Sequence, residues 1–400
     1  MASRKTPAIS LDTGGDEPLA LTPRAGSLIA DCRGPEGVAG QAADDLVAAA
    51  LIDETHAPPL PSHVVPDDRV VIALAGPIPQ REPAVVAIRR CLEMAGIVPG
   101  DIAVIDTAPE RDADTAYLAA DEEGLPCYLT RALVDADVVV TVGAFSWDAA
   151  WGGRSLEGEL WPTFSRPESR QELVCRLARR GRRALAGWRT EMQQIDWNLG
   201  VTAGLRLVLG RHGTLAAAAF GLPNGVRRAA RQAAAAWRPT VAREAAVTIA
   251  SLSRPLAGQA AGSLAGATGF EAAVRAVAAA ARVTHEEGTI CLVGRLAAEP
   301  GVIFSRWRQG APLQGLVHEA VGTKDSQLIA DALQTRLFAR ALGDRRLVLL
   351  TDLDEAIVED LEFGYADSAD DVARLAAKAE SLIVLHEADR MLPRVGLASA

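Results

Sequence analysis

Seven short apolar runs punctuate the chain: RVVIALAG (69–76), DIAVIDT (101–107), DADVVVTVG (135–143), AAVTIAS (245–251), GTICLVG (288–294), RRLVLLTD (345–352) and SLIVLHE (381–387). Their hydrophobic residues are consecutive rather than alternating with polar ones, the pattern of parallel strands covered by helices on both faces. Between them, apolar residues recur at three- and four-residue spacing over 82–96, 168–189, 223–237, 268–284, 325–342 and 368–380, which predicts helices. The first of these closes on Gly96, a residue type that readily takes the left-handed conformation past a helix end. LRLVLGRHGTLAAAAFG (205–221) reads instead as two strands turning at His212-Gly213. Strands alternating with helices predict α/β layers joined by right-handed crossovers.

One stretch breaks this rhythm. SRPLAGQAAGSLAGATG (253–269) is rich in Gly, Ala and Ser and lacks an amphipathic period. It is expected to divide an N-terminal domain (1–252) from a C-terminal domain (266–400), with 253–265 as the linker. The cleft between two α/β domains is where a ligand is expected. A formal net charge of −10 argues against generic nucleic-acid binding. Cys32, Cys91, Cys127, Cys175 and Cys291 are scattered and form no CxxC pair, which argues against a disulfide framework or zinc knuckle and for a reducing cytosol. The N-terminal residues lack the apolar core of a secretory signal, and no apolar run reaches the roughly 18 residues of a membrane helix. A soluble cytoplasmic protein is expected.

Candidate chemistry concentrates after the third run. The segment AFSWDAAWGGRSLEGELWPTFSRPES (144–169) carries Trp147, Trp151 and Trp161, three of the seven tryptophans. It also carries Asp148, Arg154, Glu157 and Glu159. The amides of Gly152-Gly153 in GGRS could cradle an anion, with Arg154 beside them. Paired carboxylates such as Glu157 and Glu159, near Asp148, could do acid/base work if burial pushed their pKa values apart, whereas solvated carboxylates would not. The tryptophans either wall a pocket or anchor the loop on the core. No GxGxxG, GxxxxGK[ST] or GxSxG motif occurs, and no two of the six histidines stand at metal-ligand spacing, so each is expected at the surface or a helix end. The Arg-rich segment 176–189 is expected to be a solvated helix face. Lysine is scarce: between Lys5 and Lys324 there is no primary side-chain amine.

In order and pattern, residues 60–396 resemble the nickel-dependent lactate racemase family. PDDRVVIALAGPIPQ resembles its first strand and substrate turn, and DADVVVTVG…GG…LWP…RPES its cofactor loop. AGLRLVLGRHGTLAAAAFGLPNGVRRAARQAAAAW resembles its hairpin and following helix, and ESLIVLHEADRMLPRV its closing strand and tail. The resemblance implies two α/β domains with mainly parallel sheets flanking a cleft. It implies racemisation or epimerisation of a 2-hydroxy acid on a nickel pincer nucleotide tethered by a lysine and served by histidines. The residues that would do this are replaced. Gly158 stands where the tethering lysine is expected, Asp148 at a catalytic histidine and Val174 near the nickel histidine. Gly76 stands at the substrate arginine, and TAPERDAD lacks an acid/base histidine. Only Arg275, at a position where the family has lysine, keeps its charge.

The expectation is therefore a divergent, catalytically degenerate relative with no bound metal or cofactor. Its cleft would hold a small anionic ligand, a carboxylate met by Arg154 and Arg275 and bordered by Trp147 and Trp151, or a partner protein such as an intact homologue. The alternative is an active isomerase using the nickel pincer nucleotide noncovalently, or different chemistry at Asp148, Glu157 and Glu159.

Overall fold

A computed structural model describes residues 8–14, 17–55, 57–76, 78, 80–120, 126–156, 158–201, 203–254, 270–296 and 299–396. Each of the seven apolar runs forms a strand: Val70–Ala75, Ile102–Ile105, Val138–Phe145, Ala245–Ser251, Thr284–Val293, Arg346–Leu350 and Leu382–Leu385. The hairpin forms from Ala203–Leu209 and Leu215–Gly221, and His212 at its tip takes a left-handed φ of 56°.

These strands lie in the two large sheets. The first runs Leu215–Gly221, Ala203–Leu209, Val138–Phe145, Val70–Ala75, Ile102–Ile105 and is parallel except at the hairpin edge. The second runs Gly364–Tyr365, Arg346–Leu350, Thr284–Val293, Ala245–Ser251, Leu382–Leu385, Leu28–Cys32 and is parallel throughout. The protein is thus an α/β fold with mainly parallel sheets.

Two features depart from the sequence reading. The boundary at residue 252 places strand Ala245–Ser251 in the N-terminal domain, but it pairs on both sides with second-sheet strands. Leu28–Cys32 closes the edge of that same sheet beside Leu382–Leu385. The chain therefore changes sheet between Gly221 and Ala245, ahead of the Gly/Ala-rich stretch, and the second sheet draws on both ends of the sequence. Most of that stretch, 255–269, lies outside the described residues.

The second departure is at 168–189. One helix was expected; instead Pro167–Arg180 stops at Gly181, whose φ is +57°, and Leu185–Asn198 follows after a short turn over Gly181–Ala184. A left-handed residue cannot continue an α-helix, and glycine adopts that conformation without a Cβ penalty.

Helices Glu271–Ala281 and Ser326–Leu342 of the second half lie against each other, and the latter also lies against Pro167–Arg180 of the first. One continuous core cluster runs through this junction and includes Trp151, Leu177, Val274, Leu333 and Phe338. Helix Glu271–Ala281 is built almost wholly of alanine and valine, so it approaches its neighbours closely and leaves space beside its short side chains.

Candidate functional site

The loop after Val138–Phe145 leaves from the carboxyl end of a central parallel strand, the edge at which open α/β sheets bind ligands. It folds back at once: Trp147–Asp148 pairs antiparallel with Gly153–Arg154. Between them the Gly152 amide donates to the Ala149 carbonyl at 3.1 Å, and the Trp151 amide donates to Asp148 Oδ1 at 3.2 Å. Arg182 clamps this turn from outside, its Nη2 donating to the carbonyls of Ala149 and Ala150, each at 3.2 Å. That approach requires glycine at 152: φ is +70°, and a Cβ there would stand 2.8 Å from the Arg182 guanidinium carbon. Gly152→Ala is expected to cost about 1–2 kcal/mol, part left-handed strain and part displacement of Arg182. Urea unfolding would check this, and an unchanged midpoint would contradict it.

The tryptophans anchor the loop. Trp147 is 5 %, Trp151 8 % and Trp161 6 % exposed. Trp147 Nε1 donates to the Ala234 carbonyl at 2.9 Å and Trp161 Nε1 to Glu191 at 3.2 Å, so these indoles are buried with their polar edges satisfied.

A pocket of about 70 Å³ opens between the loop and the helices of the second half. Asp148, Trp151 and Arg275 line it, with Val174 and Leu177 from Pro167–Arg180 and Glu271, Leu333, Gln334 and Leu337 from the opposite side. Gln334 Nε2 donates to Glu271 at 2.9 Å. Asp148, Val174 and Arg275, three positions singled out by the resemblance, therefore meet in one cavity. Trp147, Gly152, Gly153, Arg154 and Glu159 are not among its lining residues. Glu157 lies outside the described residues.

Glu159 and Arg154 sit instead in a buried charge network behind the loop. Glu159 accepts from Arg154 at 2.6 Å, Arg206 at 3.1 Å and Arg227 at 2.9 Å. Arg227 also reaches Asp196 at 2.7 Å. Burial by itself would raise the pKa of Glu159, but the guanidiniums of Arg206, Arg227 and Arg154 more than reverse this and hold it at about 2. Burial pushes Asp196 up in spite of Arg227. Both Glu159 oxygens are engaged by guanidinium groups, and the carboxylate stays ionised at neutral pH, so it cannot shuttle a proton there. Sequence reasoning did not foresee Arg206, Arg227 or Asp196. One signal was present: Arg206 stands inside the apolar strand Ala203–Leu209, where a charge needs a buried partner.

Other charged residues also differ from expectation. The segment 176–189 is not wholly solvated: Arg176 pairs with Glu191, and Arg182 turns inward to the loop. His386, expected at the surface, is 8 % exposed, with Nε2 2.7 Å from Asp31 Oδ1. His56 lies outside the described residues.

At Gly158, where the resemblance sets a tethering lysine, φ is +85° and a Cβ would stand 2.7 Å from the Ala144 carbonyl oxygen. A Cβ on Gly143 would in turn meet the Gly158 carbonyl oxygen at 2.5 Å. The two described lysines, Lys324 and Lys378, are exposed and do not line the pocket. Among the described residues no three His, Cys, Asp or Glu side chains gather as metal ligands would, and no helix is long and apolar enough to cross a membrane.

No family model matches the sequence, and neither does any curated protein. Eight chains of solved structures match. One is the lactate racemase apoprotein from Thermoanaerobacterium thermosaccharolyticum, with a TM-score of 0.70 and 14 % identity over 97 % of this chain and 100 % of that one. Another, a structural-genomics target from Thermotoga maritima, aligns with a TM-score of 0.56 and 10 % identity over 91 % of this chain and 100 % of its own. At such identities the likeness is one of backbone, and it is nearly end to end: this chain has a lactate-racemase-like α/β fold.

Proposed function

We propose that this protein does not run the nickel chemistry of lactate racemases and instead binds a small 2-hydroxy acid in the pocket between its two sheets. The observation that carries this reading is the meeting of Asp148, Trp151 and Arg275 in one cavity. A 2-hydroxy acid has a carboxylate for a guanidinium and a hydroxyl proton for a carboxylate, and Arg275 and Asp148 supply that pair. Trp151, Leu333 and Leu337 would cover its carbon skeleton. A volume of 70 Å³ holds about five water-sized groups, the scale of a three-carbon acid. Arg154 acts as a positioning residue, pairing the Gly153–Arg154 strand to Glu159 rather than touching the ligand.

The residues do not fit a lysine-tethered nickel pincer nucleotide. The tethering position has no room for a side chain, and the aliphatic Val174 lines the pocket where a nickel histidine would stand. No catalytic step is therefore derived through that group.

Titration calorimetry with lactate and glycolate is expected to show saturable binding. Arg275→Ala should weaken it at least about tenfold, because a charge-assisted hydrogen bond is worth roughly 1.5–3 kcal/mol. If the parent binds no short 2-hydroxy acid, or if the variant binds equally well, the reading fails.

A further inference from the structure

Beside the carboxylate pocket lies a second cavity, of about 170 Å³, sharing Ala150 and Leu337 with it. Its remaining walls are the short side chains of Ala149, Ala278, Ala281 and Ala341, which leave the volume open. All of its charge is arginine: Arg182, Arg282 and Arg340.

These guanidiniums come from three separate elements. Arg182 belongs to the turn Gly181–Ala184 of the first half, Arg282 caps helix Glu271–Ala281, and Arg340 stands on helix Ser326–Leu342. Arg182 is fixed through Nε and Nη2 by the Ala149 and Ala150 carbonyls, and Arg282 through Nε by the Pro393 carbonyl at 2.8 Å. That leaves Nη1 of Arg182, both terminal nitrogens of Arg282 and the whole Arg340 guanidinium with no hydrogen-bond acceptor among the described residues. No described carboxylate lies within 4 Å of any of the three.

Their mutual approach is unfavourable. After burial, the largest influences lowering the pKa of Arg182 are Arg340 and Arg282, with Asp148 a smaller opposing one. Burial and then Arg238 lower that of Arg282. The chain has 51 acidic residues against 41 basic ones, yet none of the described carboxylates pairs with this trio. Helix-end position explains Arg282 and the loop clamp explains Arg182, while Arg340 is exposed; the remaining donors are open to solvent, and all three side chains line the one cavity. A single carboxylate is satisfied by one guanidinium fork, whereas a tetrahedral dianion offers three or more acceptor oxygens and enough charge for three.

We infer that the cavity walled by Arg182, Arg282 and Arg340 binds a phosphate-type dianion, either the free ion or the head of a small phosphomonoester. The anion bridges the two halves of the molecule, because Arg182 and the other two arginines come from opposite sides of the junction. None of the three lines the carboxylate pocket, so this site is independent of the 2-hydroxy-acid reading.

The test is titration calorimetry of the full chain with inorganic phosphate and, separately, glycerol 3-phosphate, in a sodium chloride buffer of constant ionic strength. Saturable binding is expected, and the tighter of the two ligands identifies the free ion or the ester as the natural form. Arg340→Ala should weaken binding at least about tenfold while leaving the unfolding midpoint without phosphate unchanged, since that side chain is exposed and makes no hydrogen bond or ion pair with the described residues. Arg282→Ala should weaken it as well, and Arg275→Ala should leave it as in the parent. Absence of saturable binding by the parent to both ligands, or undiminished binding by a folded Arg340→Ala protein, would overturn the inference.

Discussion

Replacing Glu159 with alanine is expected to destabilise the protein by about 3–5 kcal/mol, the usual cost of removing one partner from a buried ion pair. The cause is what remains. Arg154, Arg206 and Arg227 would face one another with only Asp196 to answer them, and Arg206 is 4 % exposed, so water cannot take over. The loss should reach beyond the local ion pairs. Its three arginine partners come from the loop after Val138–Phe145, strand Ala203–Leu209 and helix Pro223–Ala233, which the carboxylate ties together, and Arg227 extends the network to Asp196 on helix Leu185–Asn198.

The same group gives a pH signature. Its folded pKa of about 2 lies below the ordinary 4.5, so its stabilisation is complete above about pH 4.5 and is lost as pH falls toward 2. Asp196, shifted upward, acts with the opposite sign: protonation relieves its burial, so it offsets part of the loss. Urea unfolding from pH 7 down to pH 3 should show a steeper loss of stability for the parent than for Glu159→Gln. Parallel curves for the two proteins would mean that Glu159 is not the group being titrated.

Placing a lysine at Gly158, where the resemblance sets a cofactor tether, is expected to damage the fold. The backbone there has φ +85°, which costs a side-chain-bearing residue about 1–2 kcal/mol. Its Cβ would also press on the Ala144 carbonyl oxygen at 2.7 Å, and that atom belongs to strand Val138–Phe145, flanked by strands on both sides. With an overpacking cost of about 1–3 kcal/mol, Gly158→Lys should lose about 2–5 kcal/mol in all. Gly158→Ala should lose nearly as much, since the conflict begins at Cβ. Chemical denaturation of both variants checks this. A Gly158→Lys protein as stable as the parent, or one that gains mass when co-expressed with pincer-cofactor maturation proteins, would contradict this.

Much of the fold was legible because it rests on local pattern. A run such as DADVVVTVG has no polar face to turn to solvent, which predicts a covered strand; each such run is a strand, and Val138–Phe145 is buried almost throughout, whereas Ile102–Ile105 at the sheet edge is only partly covered. His212-Gly213 marked its own turn, whereas the three loop tryptophans read equally as anchors or pocket walls, and Trp151 is both. The break at Gly181 was harder to see, because a lone glycine in an amphipathic run is as compatible with a continuous helix as with a stop.

The absence of an amine between Lys5 and Lys324 was fixed by composition alone, as was the oddity of Arg206 inside an apolar strand. Only tertiary structure decided which strand entered which sheet and which charge met which. Ala245–Ser251 reads the same in either half, since a buried parallel strand looks alike wherever its neighbours come from. Leu28–Cys32 finds Leu382–Leu385 from the other end of the chain. Glu159 is equally a solvated loop acid or the centre of three arginines until strand Ala203–Leu209 and helix Pro223–Ala233 are placed beside it. Arg182, Arg282 and Arg340 have no common sequence pattern and meet only because two packed helices and a glycine-broken turn close on one alanine-lined space. Burial and charge pairing are properties of neighbours distant in sequence, whereas strand and turn formation are carried by residues adjacent in it.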